Sequence, residues 1–312
     1  MEWTTEDIAA PANGQHGEII GARCGRASNV EDMLTYIETT PRIDGAGEAS
    51  EKEYNGGKAG AKRYTMPGWD IEEAKDTKAG EMVAFYSELA RTGYARARED
   101  LRDVMIEVQA GANDAPRPDF YYDVAGSIPS VPAYVCGDPA NMLDLGETPI
   151  KPTCRISVEV GVAWKCKAKA IYMRGVAILG LINSLERQGI NTELSIAYTC
   201  DMMQRLYDGP PIAFVCPIRE LGQAFDLDQI AFFLATPGPL RRIGFALMER
   251  DKETVKLTHG GYGEAASSGL ALPDYDIVFP RIIPGTLTKW EDAKYAHDEV
   301  AKVAADKGYS TR

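Results

Sequence analysis

The chain has 312 residues, 45% of them hydrophobic, and a formal net charge of -12. That length and apolar content suffice for one large α/β domain, or for a core domain with an N-terminal extension. The acidic balance excludes a broad electrostatic grip on duplex DNA or anionic lipid, though not a confined basic groove.

Met1–Asp7 is polar and acidic, unlike a signal peptide. The longest apolar run, Gly175–Ile182, is too short to span a bilayer. A cytoplasmic protein with no membrane partner is expected. The six cysteines (Cys24, Cys136, Cys154, Cys166, Cys200 and Cys216) lie far apart and form no C-x-x-C pair. They read as reduced core thiols.

Residues 1–65 read as an irregular N-terminal arm. It is broken only by a helix over Val30–Glu38, whose Val30, Met33, Leu34 and Ile37 share a face. Residues 66–115 form a helical segment: Ile71–Lys75, then Gly80–Arg91 continuing to about Val108, with a stripe of Met82, Phe85, Tyr86 and Leu89. Residues 116–312 read as the α/β domain. It opens with two short strands around a turn (Phe120–Val124, Gly126–Pro132, Ala133–Cys136), and Asn141–Thr153 links these to the core.

The core itself is the clearest passage. Ile156, Val158, Val160, Val162 and Trp164 alternate with smaller or polar residues, which is the period of a strand over Arg155–Trp164. Ala170–Gln188 is helical and apolar almost all round, so it is buried. Gly189 ends it with a left-handed cap. Leu194, Ile196 and Tyr198 then alternate as a second strand.

Further on, Thr199–Leu206 reads as helical and Ile212–Ile218 as extended. Asp226 caps a helix that breaks at Pro237-Gly238-Pro239 and restarts, with Leu240, Ile243 and Leu247 on one face. Val255–Thr258 and Tyr275–Phe279 read as strands, and Thr288 opens a last helix running to about Lys307. Strands alternating with helices give a mostly parallel, Rossmann-like sheet flanked by helices.

Chemistry-bearing groupings are few. Asp119, Asp123 and Asp138 fall near turns and, if clustered, would hold Mg²⁺ for hydrolysis. Each also suits ordinary turn chemistry. Trp164, Lys165, Lys167, Lys169, Tyr172 and Arg174 put aromatics and cations at a strand end and helix start, with Arg241 and Arg242 as additions. Such mixtures hold single-stranded nucleic acid by stacking and phosphate contact. The alternative is a basic rim snorkelling over a buried strand. His259-Gly260-Gly261 comes without a G-x-S-x-G elbow, and Gly56–Lys62 lacks P-loop spacing. Both read as loops.

Two resemblances follow. The strand, buried helix, strand, strand order from Arg155 to Ile218, closed by a last helix, resembles a von Willebrand factor A-type fold. That family's D-x-S-x-S metal motif would fall on Glu159-x-Gly161-x-Ala163, where one potential ligand remains, or on Asp123-x-Ala125-x-Ser127. Separately, several phrases resemble an uncharacterised family of tailed-bacteriophage proteins. They are Tyr122-Asp123-Val124-Ala125-Gly126, Cys136-Gly137-Asp138-Pro139 with Met142, Arg174-Gly175-Val176-Ala177 and Leu240-Arg241-Arg242.

These readings together imply a non-catalytic, phage-encoded adaptor of the host cytoplasm on an α/β scaffold with a degraded metal site and no cofactor. It would act through a protein partner or self-association. The alternatives are a single-stranded nucleic-acid-binding accessory protein and a Mg²⁺-dependent hydrolase.

Overall fold

A computed structural model describes residues 1–9, 19–44, 46, 50, 70–96, 120–145, 152–162, 166–200, 212–258, 272–283 and 285–309, apart from residues 79, 126, 127, 225 and 273. The first half of the chain contributes β1 (Glu2–Ala9), β2 (Ile19–Arg26), α1 (Val30–Thr39), a 3-10 turn (Glu72–Asp76) and α2 (Met82–Thr92). A small module follows, made of β3 (Phe120–Asp123), β4 (Ile128–Pro129), α3 (Val131–Val135) and β5 (Met142–Leu145). The core unit is β6 (Thr153–Glu159), α4 (Ala168–Arg187), β7 (Asn191–Cys200) and β8 (Ile212–Arg219). Then come α5 (Leu227–Ala235), a π-helical segment (Pro239–Gly244), α6 (Phe245–Met248), α7 (Lys252–Thr258), β9 (Ile277–Phe279), a 3-10 turn (Lys289–Glu291) and α8 (Ala293–Ala305).

The main sheet has the order β1-β2-β8-β7-β6-β9. β6 pairs parallel with both β7 and β9, and β2 pairs parallel with β8. The β1–β2 and β7–β8 pairs are antiparallel. The fold is therefore α/β, with a mixed, mostly parallel sheet flanked by helices. β6 is buried on both faces: Cys154, Ile156 and Val158 have no exposed surface, and neither does Ser157. Double-sided cover is what a parallel central strand requires, because the crossover helices that join parallel strands lie on the sheet faces.

α4 is that crossover. Ile178, Leu179, Ile182 and Leu185 are buried in the main core. Its end matches the expected cap. Gly189 has φ +81°, its N–H donates to Glu186 O at 2.9 Å, and Ile190 N–H donates to Leu185 O at 3.0 Å. This pair of bonds is a Schellman motif. Among the described residues α4 is the one helix with the length and apolar content to cross a membrane, and 61% of that span is buried inside the fold.

Local signals held where capping is local. α1 buries Val30, Met33, Leu34 and Ile37, and Asn29 caps it. Asp226 accepts from Gln229 N–H at 3.1 Å and opens α5.

Other expectations need correction. Residues 1–65 are not simply an irregular arm, because β1 and β2 form a hairpin that extends the main sheet. Its buried positions, Ala22 and Cys24, are too small to make a visible alternation. The helix through Arg91 breaks after Thr92, where Gly93 takes φ +80°; residues 95 and 96 are helical again, and 97–108 lie outside the described ones. Thr199 and Cys200 continue β7 rather than starting a helix; residues 201–211 lie outside the described ones. Val255–Thr258 is helical because Asp251 accepts from Thr254 N–H at 2.9 Å, as an N-cap does. Ala133–Val135 belongs to α3, with Cys136 as its C-cap and Pro132 in its first turn. The last helix is capped by Asp292, which accepts from Tyr295 N–H at 2.8 Å, and not by Thr288.

Gly175 sets how closely α4 approaches α5. A Cβ there would lie 2.6 Å from Leu234 O, a backbone atom that cannot swing away. Gly175→Ala is therefore expected to cost about 1–3 kcal/mol, the range for overpacking. Urea unfolding followed by circular dichroism measures it. Gly180→Ala, which meets nothing within 4 Å, is the control expected to be neutral or stabilising.

Candidate functional site

In open α/β sheets, ligands are held beyond the carboxyl ends of the strands. Here β6, β7 and β9 run in the same direction, and their ends meet in a buried polar knot. Glu159 closes β6 and is only 3% exposed. Its Oε1 accepts from Gly161 N–H at 3.0 Å and from Thr199 N–H at 3.2 Å, which ties the β6 exit to β7. Its Oε2 is buried and has no hydrogen-bond partner among the described residues.

Arg174, on α4, donates to Glu159 O at 2.7 Å and to Pro280 O, just past β9, at 3.1 Å. Burial pulls the Arg174 guanidinium down to about 10, so it stays charged at neutral pH. Arg281 donates to Thr199 Oγ1 at 2.9 Å. Nearby, the buried Tyr198 hydroxyl has no hydrogen-bond partner among the described residues, and burial raises its pKa well above the usual phenol value. The knot therefore fastens three strand ends to one another and to α4.

This arrangement changes the reading of the basic residues. Lys167 and Lys169 are exposed at the start of α4, and Lys167 pairs with Glu291 at 3.1 Å. Tyr172 is half-buried and packs on the core. Trp164 and Lys165 lie outside the described residues.

The three arginines are not a surface rim. Arg174, Arg241 and Arg242 are 3%, 1% and 2% exposed. Arg241 donates to Cys166 O at 2.9 Å. Arg242 forms a two-pronged pair with Asp70, at 2.8 and 2.6 Å, and reaches Ser50 O at 3.1 Å. Their partners are far away in sequence, so nothing local distinguishes them from solvated cations. They do not join Lys167 and Lys169 in one groove.

The carboxylates expected near turns serve those turns. Asp123 accepts from Val124 N–H at 2.6 Å, and Asp138 from Ala140 N–H at 2.9 Å. Asp119 lies outside the described residues. Among the described residues no three His, Cys, Asp or Glu side chains gather as a metal-ligand set. Of the A-type positions, Glu159 accepts from Gly161 N–H through Oε1 alone, and Ala163 lies outside the described residues.

A family described as a domain of unknown function, DUF7192, matches residues 26–308. The chain belongs to that family. No curated protein and no solved structure matches it. The span matched to the DUF7192 family takes in the module and the whole knot, and it begins at the last residue of β2.

The module carries a feature the sequence reading missed. Its sheet has the order β3-β5-β4 and stands apart from the main sheet. Register sets Tyr122 and Ile128 on either side of Leu143, so the three share a face. On α3, Val131, Tyr134 and Val135 fall at i, i+3 and i+4, the spacing of one helix face.

Such rows are normally buried, yet here they are open. Tyr122 is 57% exposed, Ile128 47%, Val131 66%, Tyr134 71% and Val135 76%. The periodicity was in the sequence, but reading Ala133–Cys136 as a strand hid it. Cys136, at the end of α3, is exposed as well, unlike Cys24, Cys154, Cys166 and Cys216. Burial pushes the thiols of Cys24 up to about 12, and of Cys154 and Cys166 up to about 11.

Two predictions separate knot from surface. Arg174→Ala strands the buried Glu159 carbonyl, while the Pro280 carbonyl is only partly buried, and is expected to cost about 1–3 kcal/mol by urea unfolding, the range for one unsatisfied group. Lys167→Ala, on an exposed ion pair, is expected to stay within about 0.5 kcal/mol. Thiol titration of the native protein at pH 8 should show a fast phase that disappears in Cys136→Ser, because thiolate and access govern reactivity.

Proposed function

We propose that the protein is a non-catalytic interaction protein, in which the α/β body carries a small module that contacts another protein. One observation carries this reading. Among the described residues, six of the eight exposed large hydrophobic side chains lie between Tyr122 and Val135. Scattered exposed apolar residues are ordinary, but a contiguous cluster marks an interaction site.

The polar knot supports the same reading from the other side. Glu159 Oε1 and both terminal nitrogens of Arg174 bond backbone groups at the strand ends, so this corner of the sheet acts as a fastening. The β6–α4–β7–β8 order is the one the A-type resemblance implies for a scaffold with a degraded metal site. Two of the phrases resembling tailed-bacteriophage proteins, Tyr122–Gly126 and Cys136–Pro139, lie in the module itself. They favour a phage-encoded adaptor working in the host cytoplasm.

Site-specific photo-cross-linking tests this in producing cells. A photoreactive phenylalanine analogue replaces Tyr134 in one variant and Lys294, 84% exposed on α8, in another. A discrete protein adduct is expected from position 134 and absent from position 294. No adduct at 134, or the same adduct at both positions, overturns the reading. Turnover of ester or phosphodiester substrates by the pure protein with Mg²⁺ or Mn²⁺ also overturns it.

A further inference from the structure

We propose that the module recognises an apolar protein segment flanked by lysine or arginine side chains. This rests on the interaction reading above and names the chemistry of the partner.

The charge distribution points there. From Pro118 to Ile150 the sequence holds no Lys, Arg or His, while Asp119, Asp123, Asp138, Asp144 and Glu147 are acidic. The apolar face described above is thus embedded in a stretch of one sign. Asp123 and Asp138 are both exposed, and among the described residues no cation pairs with either. Acidic groups around an apolar centre attract a partner of opposite charge and repel one of the same sign.

Other occupants fit less well. Nucleic acid and anionic membranes would meet the exposed carboxylates of Asp123 and Asp138, with which no cation pairs among the described residues. A second copy would bring one acidic rim against another.

The rings add a second argument for cations. Tyr122 and Tyr134 present more than half their surface to solvent. An Arg or Lys head over an open tyrosine face gains about 0.5–1 kcal/mol at exposed sites. The helix face and the sheet row supply apolar anchors at the centre, the usual arrangement of a contact surface with a polar rim.

Fluorescence anisotropy on the full chain tests the proposal with three labelled peptides. One is a helical leucine/lysine repeat, one its leucine/glutamate counterpart, and one a serine/lysine repeat without apolar residues. The leucine/lysine peptide is expected to bind at least about tenfold tighter than either control, and to weaken between roughly 50 and 500 mM salt. Tyr122→Ser/Tyr134→Ser/Val135→Ser should reduce binding about tenfold, the loss expected on removing interface anchors. Asp123→Asn/Asp138→Asn should flatten the salt dependence.

Equal binding of the glutamate peptide overturns the basic-partner claim. Equal binding of the serine peptide, or binding indifferent to the triple substitution, overturns the apolar-face claim. If no peptide binds while the cross-link at position 134 persists, the partner chemistry fails and the interaction reading stands. If both fail, the module is not a contact surface. Sedimentation showing that the triple substitution abolishes a dimer assigns the face to a second copy instead, and overturns the proposal.

Discussion

The parallel pairing of β6 with β7 governs the rest of the molecule. A chain that leaves one strand and enters its neighbour in the same direction must return across a sheet face. α4 makes that return, which is why it is apolar almost all round and ends on Gly189 at a left-handed cap. Its seating depends on Gly175, whose missing side chain lets α5 lie against it. It also depends on Arg174, which reaches back to the strand ends. Helix position and strand position are therefore fixed by a few contacts shared between them.

Those contacts explain why an arginine-rich core is tolerable. A buried guanidinium is costly to desolvate unless its donors are met. Arg174 meets backbone carbonyls at two strand exits through its two terminal nitrogens, though its Nε finds no partner among the described residues, and Arg242 meets Asp70, which also accepts from Tyr86 Oη at 3.0 Å. Asp70 and Arg242 belong to segments far apart in sequence, the stretch before α2 and the π-helical segment. Their pairing holds the N-terminal helices against the α/β core. Ser50 bonds to Glu249 in the same way, and burial raises that carboxyl above the ordinary glutamate value.

What could be read from the sequence divides along the range of the interactions. The β6–α4–β7 unit, the buried face of α1, the cap at Asp226 and the stop at Gly189 are all set by residues within a few positions of each other. The β1–β2 hairpin could not be seen, because Ala22 and Cys24 are small and the partner strand β8 lies nearly two hundred residues away. α7 was misread because Val255 and Thr258 favour strands by composition, while the deciding group, Asp251, sits outside the window. The arginines were misread for the same reason, since charge is local and burial is not. The apolar face of α3 needed the correct helix before its spacing had meaning.

The run without cations from Pro118 to Ile150 has a practical side. Trypsin cuts after Lys and Arg but poorly before proline, and Arg117 precedes Pro118 while Lys151 precedes Pro152. Digestion therefore releases Asp103–Arg155 largely as one long fragment. Mass-spectrometric mapping of this region, including any covalent adduct it carries, calls for a protease that cleaves at aspartate or at aromatic residues.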